Sequence, residues 1–370
     1  MKKVLQISMG ETFGGIEKLE LDWFKNINNN IKFDFLTPTN TPFENFEKQI
    51  QALGGNAYNL SIRRKNLKSK IMYAFRLYKF LKKKNYDILH INSEVFLFSF
   101  HVAIIAKICR VKKIIVHSHN ALNINKLKRL LITILNPLYI KLVDEYLACS
   151  KQAEYSLFTK KFVNKNKVKV LKNGIDINKF KFSETIRNEY RKKYNLNGKI
   201  VYGNVARFDK QKNHDYLINL FYEIQKMQKD SELLLVGDGK LRKEIEEKVK
   251  SLNISEKVIF LGFIDDAHNI MNSMDIFLFP SLYEGLGISV IEAQTNGLIT
   301  YCSKAVPVEA KISSNFKYFD LKQNINEIAK KIIGERNNLD NRNEAYKNTV
   351  KEGYDIKNVT NELIQIYEKL

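Results

Sequence analysis

The stretch KVLQISMGETFGGIEKLELDWFKNI (Lys3–Ile27) places a short apolar run before a loop with two adjacent glycines, and a segment with helical spacing follows. A short apolar run bounded by turn residues predicts a buried strand, and apolar residues three and four positions apart predict a helix. The stretch is therefore typical of a strand–loop–helix unit.

This unit recurs along the chain. In the first half the predicted strands, with helical segments between most of them, are KVLQIS, FDFLTP, NAYNLS, YDILHIN, KKIIVHSHN, EYLACS and KVKVLKNG. The alternation restarts at KIVYGNVA, after a polar stretch from about Ile177 to Asn188 in which the periodicity lapses. Such a pattern predicts an α/β fold with two Rossmann-like, doubly wound domains, which face each other across a cleft. We place the domains at 1–180 and 181–352, with a final helix at 353–370.

Length and charge limit the number of domains and the kinds of partner that the chain can have. The chain has 370 residues, 44% of them hydrophobic, which suits two domains with real cores. The net charge is +21, of which residues 1–180 hold +19 and residues 181–370 only +2. A cationic first half favours an anionic partner: a membrane surface, a nucleic acid or a phosphorylated substrate. Compositional drift that also aids solubility is the other interpretation.

Other features concern location. Cys109, Cys149 and Cys302 are spaced neither for a metal site nor for a disulfide framework, which fits a reducing cytoplasm. The N-terminal MKKVLQISMG has too short an apolar run for a signal peptide. The apolar stretch Val95–Cys109 is interrupted by His101 and Lys107, so we interpret it as a buried helix. We expect a cytoplasmic protein.

Loops that follow strands carry the candidate chemistry, because open α/β sheets bind ligands at the carboxyl ends of their strands. In NVARFDKQKNH, Arg207 and Lys212 stand just before a predicted helix, which suits a diphosphate clamp; a solvated basic loop is the alternative. In LLLVGDG, Gly237 and Gly239 would allow a nucleotide to approach, although a simple turn explains them equally well, since Arg242 replaces the third glycine of the dinucleotide fingerprint.

Two loops of the first domain are also candidates. The paired Gly14 and Gly15 would let the backbone approach a ligand, or would only make a turn. His117 and His119 end an apolar strand and point to one face if the strand continues, which indicates either a polar, proton-handling role or a structural one. Nothing nearby supports a zinc site.

The stretch SLYEGLGISVIEAQTNG (Ser281–Gly297) holds Glu284 and Glu292, eight residues apart. A helix is predicted to start near Ile288, which puts Glu284 beside its positive end and Glu292 one turn inside. A carboxylate accepts hydrogen bonds from sugar hydroxyls. A buried acid among the apolar neighbours of Glu292 is costly without partners. The two acids therefore indicate either the start of an ordinary helix or a pair of carboxylates that face one ligand.

Together, the order of GGIE, HSHN, CSKQAE, VLKNGID, ARFDKQKNH, LLLVGDG, IFLGF and PSLYEGLGISVIEAQTNG resembles glycosyltransferase family 4 over nearly the whole chain. That family comprises retaining, nucleotide-sugar-dependent enzymes of the GT-B fold, and the capsular and exopolysaccharide members look most similar. The resemblance implies a hexose-type sugar moved from a nucleotide diphosphate sugar, UDP by default, to a saccharide or lipid-linked saccharide acceptor, without a metal ion.

The resemblance also implies roles. Arg207 and Lys212 would bind the diphosphate, Glu292 the ribose hydroxyls and Glu284 the transferred sugar. His119, or less favourably His117, would sit by the reacting sugar. Gly14 and Gly15 would approach the diphosphate, and the amides of Gly287 and Ile288 would lie near the phosphates or the sugar. The remaining expected substrate-binding positions are Asn173 and Gly174 near the cleft and the backbone at Phe263 and Ile264 around the base.

In this fold the final helix commonly crosses back onto the first domain, and residues 353–370 are expected to do so. The first domain also holds the acceptor, so a lipid-linked, anionic acceptor would explain its positive charge. Arg63–Lys84 is the expected contact with the inner face of the cell membrane, unless it is an ordinary helix with a solvated lysine face. The alternatives are a nucleotide-sugar epimerase or phosphorylase of the same fold, an NAD-dependent oxidoreductase, and a basic membrane-binding or nucleic-acid-binding protein. The absence of an aromatic platform or a known binding module disfavours a nucleic acid partner.

Overall fold

The computed structural model describes residues 1–8, 15–28, 30–37, 44–62, 66–120, 125–165, 167–335 and 342–370. The chain divides into two compact units. Unit 1 is Met1–Ile175 with Ile356–Leu370, and unit 2 is Asp176–Asp355. The boundaries therefore lie five residues before and three residues after the predicted ones at 180 and 352.

In the described part of unit 1, seven parallel strands form one sheet in the order β3-β2-β1-β4-β5-β6-β7. The strands are β1 Lys2–Ile7, β2 Ile31–Thr37, β3 Asn56–Asn59, β4 Ile88–Ser93, β5 Lys113–Ser118, β6 Glu145–Ala148 and β7 Lys169–Val170. The strand order reverses between β1 and β4, which pair directly. This reversal marks the expected ligand-binding edge of a doubly wound sheet.

Helices cover both faces of this sheet. They are α1 Gly15–Asn26, α2 Glu44–Ala52, α3 Leu67–Lys83, α4 Phe96–Ile108, α5 Lys126–Leu142, α6 Lys151–Leu157 and α7 Lys160–Val163, and the C-terminal helix of the chain, Ile356–Lys369, joins them. Alternate strand residues point to opposite faces: Val4 packs with α1 and the C-terminal helix, whereas Leu5 packs with α3, α4 and α5. Pro137 lies within α5 and does not end it.

The described strands of unit 2 repeat the order of the first six strands of the unit 1 sheet. The helices and strands of unit 2 are α8 Ile177–Phe180, α9 Glu184–Lys193, β8 Ile200–Val205, α10 His214–Met227, β9 Ser231–Val236, α11 Arg242–Ser251, β10 Val258–Gly262, α12 Ala267–Ser273, β11 Ile276–Phe279, α13 Ile288–Thr295, β12 Ile299–Ser303, β13 Phe316–Phe319, α14 Ile325–Gly334 and α15 Tyr346–Lys351. The parallel sheet has the order β10-β9-β8-β11-β12-β13. The order reverses between the paired strands β8 and β11. The prediction of two Rossmann-like α/β domains is confirmed.

The polar stretch from Ile177 to Asn188, in which the apolar periodicity lapses, is mostly helical, because α8 and the start of α9 occupy it. Helix α9 is held by charges rather than by an apolar stripe. Arg187 and Arg191 both pair with Asp275, at 2.5 and 3.2 Å. Apolar periodicity therefore gave no signal for this helix.

The C-terminal helix, α16, belongs to unit 1 and packs on α1. This is the position expected for the final helix. Tyr367 is fully buried, and its hydroxyl accepts a hydrogen bond from Nε2 of Gln6 on β1 at 2.9 Å. Among the described residues, no helix combines the length and the apolar character needed to cross a bilayer.

Candidate active site

The carboxyl ends of β8 and β11 lie side by side in unit 2, where the strand order reverses. The loop after β8 carries Lys212, and the loop after β11 carries Glu284. Nζ of Lys212 donates to Oε1 of Glu284 at 2.6 Å, and these side chains are only 16% and 5% exposed. A residue expected at the diphosphate and one expected at the sugar therefore form one buried ion pair.

Backbone and side-chain hydrogen bonds hold the two loops together. The carboxylate of Asp209 accepts from the amide of Lys212 at 3.2 Å and so caps a short 3₁₀ turn. The carbonyl of Gln211 accepts from the amide of Leu282 at 2.8 Å, and its side-chain amide donates to the carbonyl of Tyr283 at 2.9 Å. Lys212 and Glu284 are thus positioned by a rigid pair of loops, as a preorganised site requires.

Arg207 differs from Lys212 although both stand on the same loop. Its side chain is 54% exposed, and Nη2 lies 3.2 Å from the carboxylate of Asp209. An exposed ion pair of this kind contributes little to stability. The guanidinium of Arg207 is therefore accessible to an anionic ligand, whereas the ammonium of Lys212 is already paired.

Helix α13 begins at Ile288, at the predicted position, and Gly287 precedes it with a φ of 82°. This left-handed conformation is one that glycine adopts at little cost. Glu292 and Glu284 are only 5% and 4% exposed. Burial, reinforced by the charge of Glu284, raises the pKa of the Cys302 thiol well above its ordinary value, so Cys302 is kept in the unreactive thiol form.

Close backbone packing requires glycine at positions 237 and 239, which the sequence did not reveal. A Cβ atom at Gly237 would lie 2.1 Å from the carbonyl oxygen of Ala206, and one at Gly239 would lie 2.5 Å from that of Phe208. The amide of Phe208 donates to the carbonyl of Asp238 at 3.0 Å. The two glycines therefore let the loop after β9 pack against the loop that carries Arg207.

Phe263 and Ile264, the predicted contacts of the base, directly follow β10. The Phe263 side chain is 64% exposed. Their contact with a nucleotide base stays a prediction.

In unit 1, three histidines and the chain's single tryptophan form a buried cluster. Trp23 on α1 stacks on His90 and on His117, each with ring centroids 5.8 Å apart. The rings of His117 and His119 are 4.0 Å apart, so both point to the same face of the sheet, as their spacing predicted. The sequence therefore identified two members of a larger cluster.

Burial keeps these imidazoles neutral. It lowers the pKa of His119 to about 3, with the Asn173 side chain acting in the opposite direction. It also lowers the pKa of His90 and of His117 well below the ordinary value, and the neighbouring His119 adds to both shifts. Neutral imidazoles offer one donor and one acceptor nitrogen to hydrogen-bonding groups.

A chain of hydrogen bonds fixes the donor nitrogen of His119. The Asn92 amide nitrogen donates to Oε1 of Glu20 at 2.6 Å and to Oε1 of Gln6 at 2.9 Å. The Asn92 oxygen therefore faces Nε2 of His119, 2.9 Å away. Because that oxygen only accepts, Nε2 carries the proton and Nδ1 has the lone pair.

The far end of this chain is Tyr367, whose hydroxyl lies 2.6 Å from Nδ1 of His90. Burial raises the pKa of Glu20 well above its ordinary value, and the charge of Glu17 raises it further. The polar groups of this region are thus biased towards their neutral forms. Sequence reasoning missed Gln6, Glu20, Asn92 and Tyr367, because single polar residues inside apolar runs carry no motif.

The remaining predicted positions divide by location. Asn173 is buried, and a Cβ at Gly174 would lie 2.8 Å from the Cα of Ile356, so Gly174 permits α16 to pack closely. Gly15 is the first residue of α1, and Gly14 lies outside the described residues. Within the described part of the chain, no three His, Cys, Asp or Glu side chains are grouped as metal ligands.

Two family models match the chain. Residues 14–179 match glycosyltransferase family 4, and residues 186–352 match glycosyl transferases group 1. The chain belongs to the family 4 glycosyltransferases. Its fold agrees: the crystal structure of Anabaena HepE with UDP and glucose superposes with a TM-score of 0.80 at 18% identity, over 100% of both chains.

Curated relatives support the same class. The putative glycosyltransferase EpsF of Bacillus subtilis is 29% identical over 82% of this chain and 80% of its own length. The capsular polysaccharide biosynthesis glycosyltransferase CapH of Staphylococcus aureus is 24% identical over 86% and 85%. An Escherichia coli UDP-Gal:α-D-GlcNAc-diphosphoundecaprenol α-1,3-galactosyltransferase is 28% identical over 60% of this chain and 59% of its own. The chain is therefore a GT-B glycosyltransferase, and one of these relatives, CapH, is named for capsular polysaccharide biosynthesis.

Proposed function

We propose that this family 4 glycosyltransferase moves a hexose-type sugar from a nucleoside diphosphate sugar to a saccharide or lipid-linked saccharide acceptor in surface polysaccharide synthesis. UDP is the proposed nucleotide. The structure of HepE with UDP and the E. coli relative, named for a UDP-Gal donor and a diphosphoundecaprenol acceptor, support both choices.

The observation that carries the proposal is the buried pair of Lys212 and Glu284 at the reversal point of the unit 2 sheet. Cleavage of the bond between the anomeric carbon and the phosphate leaves negative charge on the diphosphate. In this proposal Lys212 and Arg207, on the loop that leads into α10, stabilise that charge. Before the donor binds, Glu284 neutralises Lys212; the diphosphate then becomes its second anionic partner.

The remaining proposed site residues contact different parts of the donor. Glu292 accepts the ribose hydroxyls, and Glu284 contacts the transferred sugar. Their burial supports these roles, because a buried carboxylate forms strong, oriented hydrogen bonds. His119, rather than His117, contacts the reacting sugar. The amides of Gly287 and Ile288 and the loop at Gly14 and Gly15 contact the phosphates. The loop at Gly237 and Gly239 contacts the nucleotide, and the backbone at Phe263 and Ile264 contacts the base. Asn173 and Gly174 are also proposed to contact the substrate.

We propose retention of the anomeric configuration, with Glu284 as an orienting group rather than a glycosidase-type nucleophile. We also propose that Arg207 and Lys212 supply the neutralisation without a metal ion. Transfer should then continue at an undiminished rate in EDTA, and NMR should show a product of the donor's own anomeric configuration. Loss of transfer in EDTA or inversion of configuration would contradict these two points.

A donor screen that measures release of the nucleoside diphosphate tests the proposal. UDP-sugars should release UDP only when an acceptor is present, and UDP should raise the melting temperature of the protein. Interconversion of free nucleotide sugars would show an epimerase, and a requirement for inorganic phosphate would show a phosphorylase. Stabilisation by NAD or an oligonucleotide, and not by UDP or GDP, would overturn the proposal.

The proposed acceptor also implies a place of action. A lipid-linked saccharide is held at a membrane surface, and we propose that unit 1 meets the inner, anionic face of the cell membrane there. The segment expected to do so, Arg63–Lys84, includes α3 and residues 63–65, which lie outside the described residues. The high positive charge of the first half of the chain supports this contact.

A further inference from the structure

Helix α5 carries an apolar stripe that faces solvent. Leu127, Leu131, Ile134 and Leu138 recur at helical spacing, and each is between 38% and 75% exposed. They fall within a stripe about 100° wide at 3.6 residues per turn. The opposite side of the helix, with Tyr139, is buried in the core. The α5 stripe is therefore a second apolar surface of this helix, beyond what folding uses.

Helix α3 has a similar stripe. Leu67, Ile71, Phe75 and Tyr78 are between 39% and 73% exposed, whereas Leu77 is fully buried. Helix α3 packs against α4, and α4 packs against α5, so the three helices form one layer over the sheet. We call this layer the α3–α5 face. Two exposed apolar stripes in one helical layer, here on either side of α4, are uncommon on a monomer and mark an interaction site.

The charge of the α3–α5 face is of one sign. Its three helices hold eleven Lys and Arg residues and no Asp or Glu. The helices of the opposite layer, α1, α2 and α16, hold five basic and seven acidic residues. Compositional drift would enrich both layers alike. The positive charge is therefore a property of this face, and it calls for an anionic partner.

We propose that the α3–α5 face binds an anionic lipid bilayer, with the apolar stripes of α3 and α5 inserted at the headgroup level and the flanking lysines on lipid phosphates. Apolar side chains in the middle and lysines at the edges match an interfacial helix. Nucleic acid would leave the leucines uncovered. A second copy of the chain would bring two strongly positive faces together.

The inference goes beyond the predicted segment in α3, because it places the inserted residues on α5 as well. It extends the proposed function by stating how the enzyme reaches a lipid-linked acceptor, but the binding itself requires no catalysis. Membrane binding and donor chemistry are therefore measured separately.

Co-sedimentation with vesicles tests the α5 stripe. The full chain should bind vesicles of phosphatidylglycerol mixed with phosphatidylcholine and bind pure phosphatidylcholine weakly. The triple variant Leu127→Ser, Leu131→Ser, Ile134→Ser should bind at least about tenfold more weakly, because less apolar area is inserted. The control is Met227→Ser, Val308→Ser, Val350→Ser in unit 2, whose side chains are similarly exposed, between 42% and 68%. It should bind like the wild type.

A second set of variants tests the charge. Replacing four exposed lysines of the α3–α5 face by glutamine should weaken vesicle binding by about a hundredfold or more, since each contributes about 1 kcal/mol near an anionic surface. These lysines are Lys79, Lys82, Lys126 and Lys128. The matched control replaces four exposed lysines of unit 2: Lys229, Lys240, Lys243 and Lys250. The control should keep binding.

Insertion into the bilayer can be followed by the fluorescence of an added tryptophan, because the single tryptophan of the chain, Trp23, is buried. In Ile134→Trp the added fluorophore should shift to shorter emission wavelengths on anionic vesicles, whereas in Met227→Trp it should not. The proposal is overturned if the wild type does not bind these vesicles, if the stripe variant binds as well as the wild type, or if the stripe variant dissociates a dimer. Retained UDP stabilisation in the stripe variant separates such a failure from a failure of the proposed function.

Discussion

The two sheets share the order of six strands, but the side chains at the point where that order reverses are charged in unit 2 and neutral in unit 1. In unit 2 the point between β8 and β11 carries a buried ion pair, Lys212 with Glu284. In unit 1 the point between β1 and β4 carries Gln6 and Asn92, which hydrogen-bond as neutral amides. The backbone therefore fixes where a site forms, and the side chains decide whether it suits a charged or a neutral group.

The two units also differ in how burial affects the charge of their polar groups. Burial in unit 1 lowers the pKa of His90, His117 and His119 and raises that of Glu20, so the groups there favour their uncharged forms. Unit 2 keeps two opposite charges in contact, which is stable only because each partner compensates the other. We propose that unit 2 stabilises the diphosphate and that unit 1 contacts the hydroxyls of the sugar.

The largest effect should come from removing the buried cation. Lys212→Ala should lower turnover by about 10²–10³, the usual effect of losing one preorganised electrostatic contact. The measurement is UDP release in the presence of acceptor. Lys210→Ala is the matched control, because Lys210 is an exposed lysine of the same turn.

Loss of Lys212 also leaves Glu284 buried without its partner, which destabilises the fold. The double variant Lys212→Ala, Glu284→Gln should therefore melt at a higher temperature than Lys212→Ala and remain inactive. Recovery of turnover in the double variant, or wild-type turnover in Lys212→Ala, would show that the pair does not serve the reaction.

Acid should destabilise unit 1. The three buried histidines have folded pKa values below the unfolded value of about 6.5, so the unfolded chain binds more protons and stability falls as the pH drops below that value. Each should contribute about 2 kcal/mol of destabilisation at about pH 5.

Fluorescence of Trp23 follows this loss, because the indole stacks on His117. Urea unfolding at a series of pH values should show a free energy of unfolding that rises with pH across this range. His117→Leu should flatten the rise, and His101→Asn, at an exposed position, should not. A stability that is independent of pH between about 4 and 7 would contradict the neutral cluster.

A smaller effect is expected from Glu292→Gln. The amide keeps the shape but offers one acceptor oxygen instead of two, so we expect the donor KM to rise about tenfold with a smaller change in kcat. Binding of 2′-deoxy-UDP, which lacks one ribose hydroxyl, tests whether Glu292 contacts the ribose. The preference of the wild type for UDP over the deoxy compound should shrink in Glu292→Gln; an unchanged preference would remove Glu292 from the ribose.

The sequence predicted the strand–helix alternation of both units well, because parallel strands buried on two faces are short apolar runs and their helices have apolar stripes. It failed at α9, where Arg187 and Arg191 on Asp275 replace an apolar stripe. It left Gly237 open between a nucleotide contact and a simple turn, and it gave no sign of the close contact with Ala206, whose carbonyl oxygen would lie 2.1 Å from a Cβ at Gly237. That contact joins two loops far apart in sequence, and no local pattern records it.

For the site, recognisable loop motifs led to predicted roles for residues such as Lys212 and Glu284, and these roles stay predictions. The sequence could not predict that these two would pair, because the pairing depends on β8 and β11 becoming neighbours in the sheet. The network of Asn92 with Glu20 and Gln6 was invisible for the same reason. Each of its residues lies in a different strand or helix, and only the fold brings them together.

The most direct test of the central claim compares the affinities of UDP and uridine by calorimetry, in Glu284→Gln and in Lys212→Ala, Glu284→Gln. This background removes the unpaired buried carboxylate from the comparison. If Lys212 of unit 2 holds the diphosphate, UDP should bind more tightly than uridine in the single variant, and most of that preference should disappear in the double variant. An equal preference in both proteins would show that the diphosphate is held elsewhere.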